Sequence, residues 1–462
     1  MGKLFSEFRP ISFKEWKNKA NFDLDGKDFN QVLTYHSLEG ISAPPYLSAD
    51  SKSKKNNHSR ISSSDLRFSK SFLLKNDERS IKILRSTLRE EFDTIIIYIP
   101  EGFSLESLNS VHNLFNRDIS LRFESFEEGY LPIIEEWAKK ISAGNKIYLN
   151  IDPISRLASR GNWQSSEKED LELLKKAASI KYDNIIPFSI DSSLFQNSGA
   201  NIIQQVAYTL AISVEYANII GADFFSGVQY NFAFGSNFFF EIAKISAFDY
   251  LIDLIKSKYN IVTENIILGE SSLRNKSIYD SHNNLLRSTT EAFSAIISGV
   301  DTYANEAFDS TYNAPNKFSG RLAYNQLMIL KEEAKINKVD NISEGSYYID
   351  YLKGEISEKA LDIFKQIENG GGFLKQLKEG VIQRKVRESA LKEQELFNKG
   401  ELSIVGANSF ENKREQMDPK IRKYPFQKIK HQKNIISKIT PKRLSEEIEK
   451  QRLSEEKRMG LT

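Results

Sequence analysis

From about residue 68 to residue 400 the chain alternates short apolar runs with long amphipathic stretches, and no other feature restricts its fold as tightly. The runs are Thr94–Ile99 (TIIIYI), Leu121–Phe126 (LRFESF), Ile147–Ile151 (IYLNI), Ile185–Ile190 (IIPFSI), a stretch near Phe224–Phe234, and Ile266–Leu268. Between them lie helical patterns such as ANIIQQVAYTLAISVEYANII from Ala200 and SNFFFEIAKISAFDYLIDLIKSKY from Ser236. Strands that are apolar on both faces and separated by helices belong to parallel βα units. No G-x-G-x-x-G follows any strand, so a closed eightfold α/β barrel, the (β/α)8 TIM barrel, is expected in preference to an open doubly wound sheet.

On either side of this region the pattern changes. The first 45 residues are short, proline-punctuated pieces around DLDGKDFNQVLTYHSLEGISAPPY, with too little periodicity for a domain, and read as an arm that lies on something else. Residues 47–65 are polar and serine-rich and have little to bury, which predicts a loop. After about residue 400 the chain turns basic and then acid–base mixed. A terminal helix is expected to start near Pro441, with Leu444, Ile448 and Gln451–Arg452 on one face. Three segments are expected: an arm and polar loop over 1–67, a barrel over 68–410, and a basic linker with a helical tail over 411–462. The chain has 64 basic and 62 acidic residues, a formal charge of +2, which gives no overall reason to expect nucleic acid or an anionic membrane. No apolar run approaches the roughly 20 residues that span a bilayer. The absence of cysteine removes disulfides, thiolate metal sites and cysteine nucleophiles together. A cytoplasmic location without a membrane is the expectation.

No reaction centre stands out. The five histidines are His36, His58, His112, His282 and His431. His282 follows Asp280 at the D-x-H spacing with which a carboxylate can orient a metal-ligating imidazole. The plainer reading is a loop entering a helix, with Asp280 or Asn283 near its N-terminus. Neither G-x-x-x-x-G-K-[ST] nor G-x-S-x-G is present. Gly370–Gly372 separates two helical patterns and reads as a capping turn.

Over residues 265–408 the pattern becomes specific. The stretches SSLRNKSIYDSHNNLLRSTTEAFSAIISGVDTY, FSGRLAYNQLMILKEEAKINKVDNISEGSYYIDYLKGEISEKA, GGGFLKQLKEGVIQRKVRESA and IVGAN together resemble the methylmalonyl-CoA mutase family. WKNKANFDLDGKDF with EGISAPPY resembles the family's N-terminal arm, one residue tighter before Tyr46, and GSNFFFEIAKI resembles a barrel helix of the family. The resemblance implies a barrel whose axial channel admits a CoA ester. It further implies, in catalytic chains, a flavodoxin-like domain whose D-x-H-x-x-G histidine ligates the cobalt of adenosylcobalamin. Here some 50 residues follow IVGAN, and the expectation is that this domain is lacking. Asp280–His282 is no substitute, because Leu285 stands where that motif has glycine.

Set against the family, the loop Asp191–Ala200 (DSSLFQNSGA) keeps Gln196 and Gly199–Ala200 but has Leu194 where catalytic chains read histidine in S-G-Y-H-M-Q-E-A-G-A. Leucine cannot donate that histidine's hydrogen bond to a thioester carbonyl. The same comparison puts Ala304 at the histidine of an H-T-N segment, Leu327 at the glutamine of N-T-Q, and Gly227 at the arginine of R-L-S-F-F. The clamping R-G-P-Y-x-T-M-Y has no counterpart in SDLRFSKSFLL. No catalytic, cofactor-binding or metal residue is therefore assigned, and the apolar Leu194–Phe195 pair is expected to fill the barrel mouth. The resemblance implies the small subunit of a heterodimeric methylmalonyl-CoA mutase, an isomerase. This barrel would carry no cofactor and would stabilise a large catalytic subunit that carries adenosylcobalamin. Two alternatives stand beside it: an active acyl-CoA mutase barrel that borrows a cobalamin domain from a separate chain, and a module whose basic tail binds nucleic acid.

Overall fold

Eight short strands curl into a closed parallel barrel in the computed structural model, which describes residues 7–9, 11–48, 66–141, 144–180, 182–427 and 433–459. Before the barrel, helices Phe13–Asp23 and Phe29–Leu33 lead into a two-stranded antiparallel hairpin of β1 (Tyr35–His36) and β2 (Ser42–Ala43). The barrel strands are β3 (Arg67–Leu73), β4 (Thr94–Ile99), β5 (Asp118–Phe123), β6 (Ile147–Ile151), β7 (Ile185–Asp191), β8 (Val228–Phe234), β9 (Ile266–Ser271) and β10 (Thr302–Ala304). Each pairs with its neighbour in chain order, and β10 closes on β3.

The main core lies between strands and helices. Ile95, Ile97, Leu121, Phe232 and Ile267 point outward into it and meet the helices Ile202–Ile220 and Phe238–Lys258, both largely buried. A parallel barrel wrapped by helices has no solvent-facing strand surface, which is why these strands are buried along most of their length.

The expected elements are found with shifts that have local causes. β5 begins at Asp118, three residues before the expected run, because its inward residues Asp118, Ser120 and Arg122 are polar and hide it. Residues 224–226 form a turn of 3-10 helix rather than strand. The terminal helix starts at Glu446, not near Pro441. Lys442 and Leu444 donate their backbone N–H groups to the carbonyls of Asn197 and Arg274, which ties the stretch ahead of the helix to the segments after β7 and β9. This helix buries Glu446, Glu449 and Leu453; of the expected face, Leu444 and Ile448 pack in one apolar cluster with Phe397 and Ile404, while Gln451 is exposed. Gly370–Gly372 does link helices Tyr347–Asn369 and Phe373–Lys378. Residues 49–65, His58 and His431 lie outside the described residues.

Candidate functional site

The interior of the barrel is unusually polar. TIM barrels commonly fill this space with bulky branched side chains. Here register and alternation turn Ser69, Thr94, Ser120, Ser189, Gln229 and Asn231 inward, and the apolar contribution is a small cluster of Ile96, Leu268 and Ala304 with Tyr98.

Two ion pairs lie in this interior. At the lower end Arg67 of β3 meets Asp118 of β5, and the Tyr148 hydroxyl donates to Asp118 at 3.4 Å. Higher up, Arg122 of β5 donates to Glu270 of β9 at 2.8 Å, and its other close neighbour is the Tyr98 hydroxyl at 3.2 Å. β5 and β9 are four strands apart around a ring of eight, so this pair spans the lumen from wall to wall. Burial alone would lower the affinity of the Arg122 guanidinium for its proton, but the charges of Glu270 and Asp191 outweigh it and hold the group cationic. Burial pushes the Tyr98 phenol upward, so it stays neutral. Glu306, just beyond β10, is also pushed up, first by burial and then by the like charge of Glu270.

At the mouth β6 carries an irregularity. Asn150 adopts a left-handed backbone conformation (φ 52°) where the β6–β7 register shifts. Its side chain donates to Ser120 Oγ at 2.8 Å and to the Leu121 carbonyl at 3.2 Å, which holds the bulge in place. Asp152 follows, accepting from the N–H groups of Ser155 (3.0 Å) and Asp191 (2.8 Å) and from the Tyr216 hydroxyl (2.5 Å). Burial raises its pKa in spite of those bonds. A cavity of about 230 Å3 opens here, lined by Arg122, Asn150, Asp152, Arg156, Asp191 and Asn231 among others.

Above the mouth runs the chain's own C-terminal segment. Arg422 and Lys423 donate backbone N–H groups to Tyr312 after β10, and Ile435 and Ile436 donate to Gly161 after β6. Ile439 then donates to Ala158, Lys442 to Asn197 after β7, and Leu444 to Arg274 after β9. Arg443, buried, donates to Glu449 at 2.6 Å and to the Lys276 carbonyl at 3.2 Å, while Glu449 accepts from the Ile278 N–H at 2.9 Å. The tail thus bridges segments that follow four of the eight strands.

The residues singled out from the sequence do not converge. Leu194 is 6% exposed in the short helix Ser193–Asn197 and belongs to the main core, not to the cluster inside the barrel. Phe195 points outward, edge-on to Tyr208 and Phe373 at 5.3 and 6.0 Å. The expectation that this pair fills the mouth is corrected: the Ser193–Asn197 turn directs both side chains under the helices, and the cavity is lined by the polar groups above. Ala304 does face the lumen, on β10 beside Leu268 and Ile96. Gly227 sits at the opposite end of the barrel, just before β8, where an added Cβ would lie 3.2 Å from Pro187 Cδ. Leu327 is fully buried in the main core, on the helix Lys317–Met328. Its neighbour Gln326 is the polar contact, hydrogen-bonded to Asn305, Ser288 and Thr289. Gln196 donates to Ser272 Oγ at 2.9 Å, tying the segments after β7 and β9. Gly199 (φ 95°) cannot be replaced without conflict, since a Cβ there would lie 2.4 Å from the Cβ of Ala390. His282 stacks on Phe308 with ring centroids 5.0 Å apart, and among the described residues no group of three His, Asp or Glu side chains could hold a metal.

Arg122 and Glu270 were not singled out from the sequence. The available signal was a charge at an inward position in each of two runs rich in apolar residues, Arg122 in LRFESF, which also carries Glu124, and Glu270 in IILGES.

Comparison with known proteins follows the same lines. A 28% identical relative, the "Methylmalonyl-CoA mutase small subunit" of Porphyromonas gingivalis, aligns over 98% of this chain and 78% of its own length. The "Methylmalonyl-CoA mutase" of Cereibacter sphaeroides is 33% identical over 48% of this chain, and the mitochondrial one of Homo sapiens is 30% identical over 49%. The aligned parts are only 33% and 32% of those two proteins. No helix among the described residues is long and apolar enough to cross a membrane. Residues 145–458 match the family model described as methylmalonyl-CoA mutase, and the chain belongs to the methylmalonyl-CoA mutase family.

Proposed function

We propose that this chain is the non-catalytic small subunit of a heterodimeric methylmalonyl-CoA mutase, working in the cytoplasm beside a large subunit that carries adenosylcobalamin. The observation that carries the reading is the tail: residues 434–459 are hydrogen-bonded to segments that follow β6, β7 and β9, along the rim of the end where TIM-barrel enzymes place their chemistry. A corrin face pressed on this mouth would have to displace backbone hydrogen bonds and the buried Arg443–Glu449 pair. The residues present do not fit the cofactor in another way as well. The one D-x-H sequence, Asp280–His282, ends in an imidazole stacked on Phe308, and Asp280 Oδ2 accepts from Asn283. No catalytic step is therefore routed through this barrel.

The arm supports the partner half of the reading. Helix Phe13–Asp23 has no fully buried residue, while Phe8, Ile11 and Phe22 are 67, 66 and 78% exposed. Large apolar side chains exposed at this density mark a surface suited to another protein. The partner is expected to co-purify with this chain, as an apolar interface of the obligate kind resists salt. Separation of the two at modest ionic strength, or isomerase turnover by this chain alone, would overturn the proposal.

A further inference from the structure

We infer that Arg122 and Glu270 together form a bolt across the barrel lumen that excludes chain-like polar ligands, and that they are the residues determining whether this barrel admits one. The argument begins with what lines the lumen. Ser69, Ser120 and Ser189 are small, and Gln229 and Asn231, each 3% exposed, hold carbonyl oxygens (Oε1 and Oδ1) that have no hydrogen-bond partner. Thr94 Oγ1 on the facing wall is in the same condition. A lumen that only had to be packed would be filled by aliphatic side chains, which satisfy themselves by contact. Small hydroxyls and idle amide oxygens instead describe a wall suited to a thin ligand with N–H and O–H groups along its length.

Long side chains reaching in from the wall narrow that passage: Arg67 and Asp118 meet at the lower end from strands two apart, and Ile96, Leu268 and Tyr98 line it higher up, while the Arg122–Glu270 pair joins opposite walls. Arg122 and Glu270 do so from strands on opposite sides, meeting at 2.8 Å, and Tyr98 braces the guanidinium at 3.2 Å. Arg122 Nη2 is buried and has no partner of its own. A buried ion pair is a poor way to gain stability, since well-packed apolar side chains of similar volume commonly do as well or better. Its distinctive effect here is steric and directional: two charged arms locked end to end, which a neutral ligand cannot displace without stranding both charges.

The probe comes from the proposed function, but the test needs no partner subunit and no turnover, so its failure is separable from failure of that reading. Coenzyme A is titrated calorimetrically into the full chain and into R122S/E270S, which removes both arms without leaving a charge behind. The wild-type chain should show no saturable heat at millimolar CoA, and the double variant should bind at least about tenfold more tightly than that limit. Saturable binding by the wild type with equal affinity overturns the inference, as does a cooperatively folded R122S/E270S that still fails to bind. Should the serine pair not fold, R122S/E270Q withdraws the longer arm and neutralises the other. It must also gain binding, and its failure to do so while folded overturns the inference equally. R122E/E270R, which reverses the bolt and keeps it closed, should remain without binding; binding by this variant would show that the crossing is not what excludes the ligand.

Discussion

Leu194 lies in the main core, on the short helix Ser193–Asn197. Leu194→His therefore buries an imidazole with no partner and should lower stability by about 1–3 kcal/mol. Turnover of the assembled pair should be unchanged, which kcat measured on the reconstituted complex checks. Gly199 is retained for a packing reason visible in the structure. Gly199→Ala combines a left-handed φ with a 2.4 Å approach to Ala390 and should cost about 2–3 kcal/mol in urea unfolding. Glu39, at the turn of the arm hairpin, yields a pH prediction. Burial raises its pKa, the like charge of Glu241 adds to the rise, and bonds from Ser37 and Ile202 oppose it. A carboxylate whose pKa is raised by folding binds its proton more tightly in the folded state, so its contribution becomes more favourable as pH falls and is lost as pH rises through the raised value. Glu39→Gln should therefore melt above the wild type at pH 7, and the gap should close as pH nears the ordinary value of 4.5.

Elements carry the second level of the account. The tail helix is fastened by a buried charge, so Arg443→Ala leaves Glu449 partly uncompensated and should cost about 3–5 kcal/mol, read as a fall in denaturation midpoint. The arm's first helix should behave oppositely. Since Phe13–Asp23 has no fully buried residue and its Phe13 and Trp16 pack on Phe29 and Tyr46 of the same arm, removing residues 1–27 should leave the melting temperature of the isolated chain nearly unmoved while abolishing the complex. A large drop in melting temperature would place that helix on the barrel instead. The sequence was legible where elements follow one period: the helices from Ala200 and Ser236 and the strands Thr94–Ile99 and Ile147–Ile151 are where alternation puts them. It was opaque where tertiary contacts overrode local pattern. β10 is only three residues long, β3 (RFSKSFL) is broken by the polar run Ser69–Ser71, and the stretch after Pro441 is tied through Lys442 and Leu444 to Asn197 and Arg274. The site was less legible than the fold, because a charge inside an apolar run does not reveal which strand lies opposite. Arg122 and Glu270 are 148 residues apart, and only closure of the barrel makes them partners.

At the scale of the whole molecule this is a mutase-family barrel whose rim is bridged by its own tail and whose lumen is crossed by an ion pair, with Ala304 on the inner wall and Leu194 packed in the core outside it. Such a barrel is expected to lend surface rather than chemistry to its complex. The number of adenosylcobalamin molecules bound per purified pair of large and small subunits tests this most directly, since it counts functional mouths without depending on rate. The account predicts one per pair, with equilibrium dialysis of the small subunit alone giving none. Two per pair, or stoichiometric binding by the small subunit alone at micromolar concentration, about 8 kcal/mol, would contradict it.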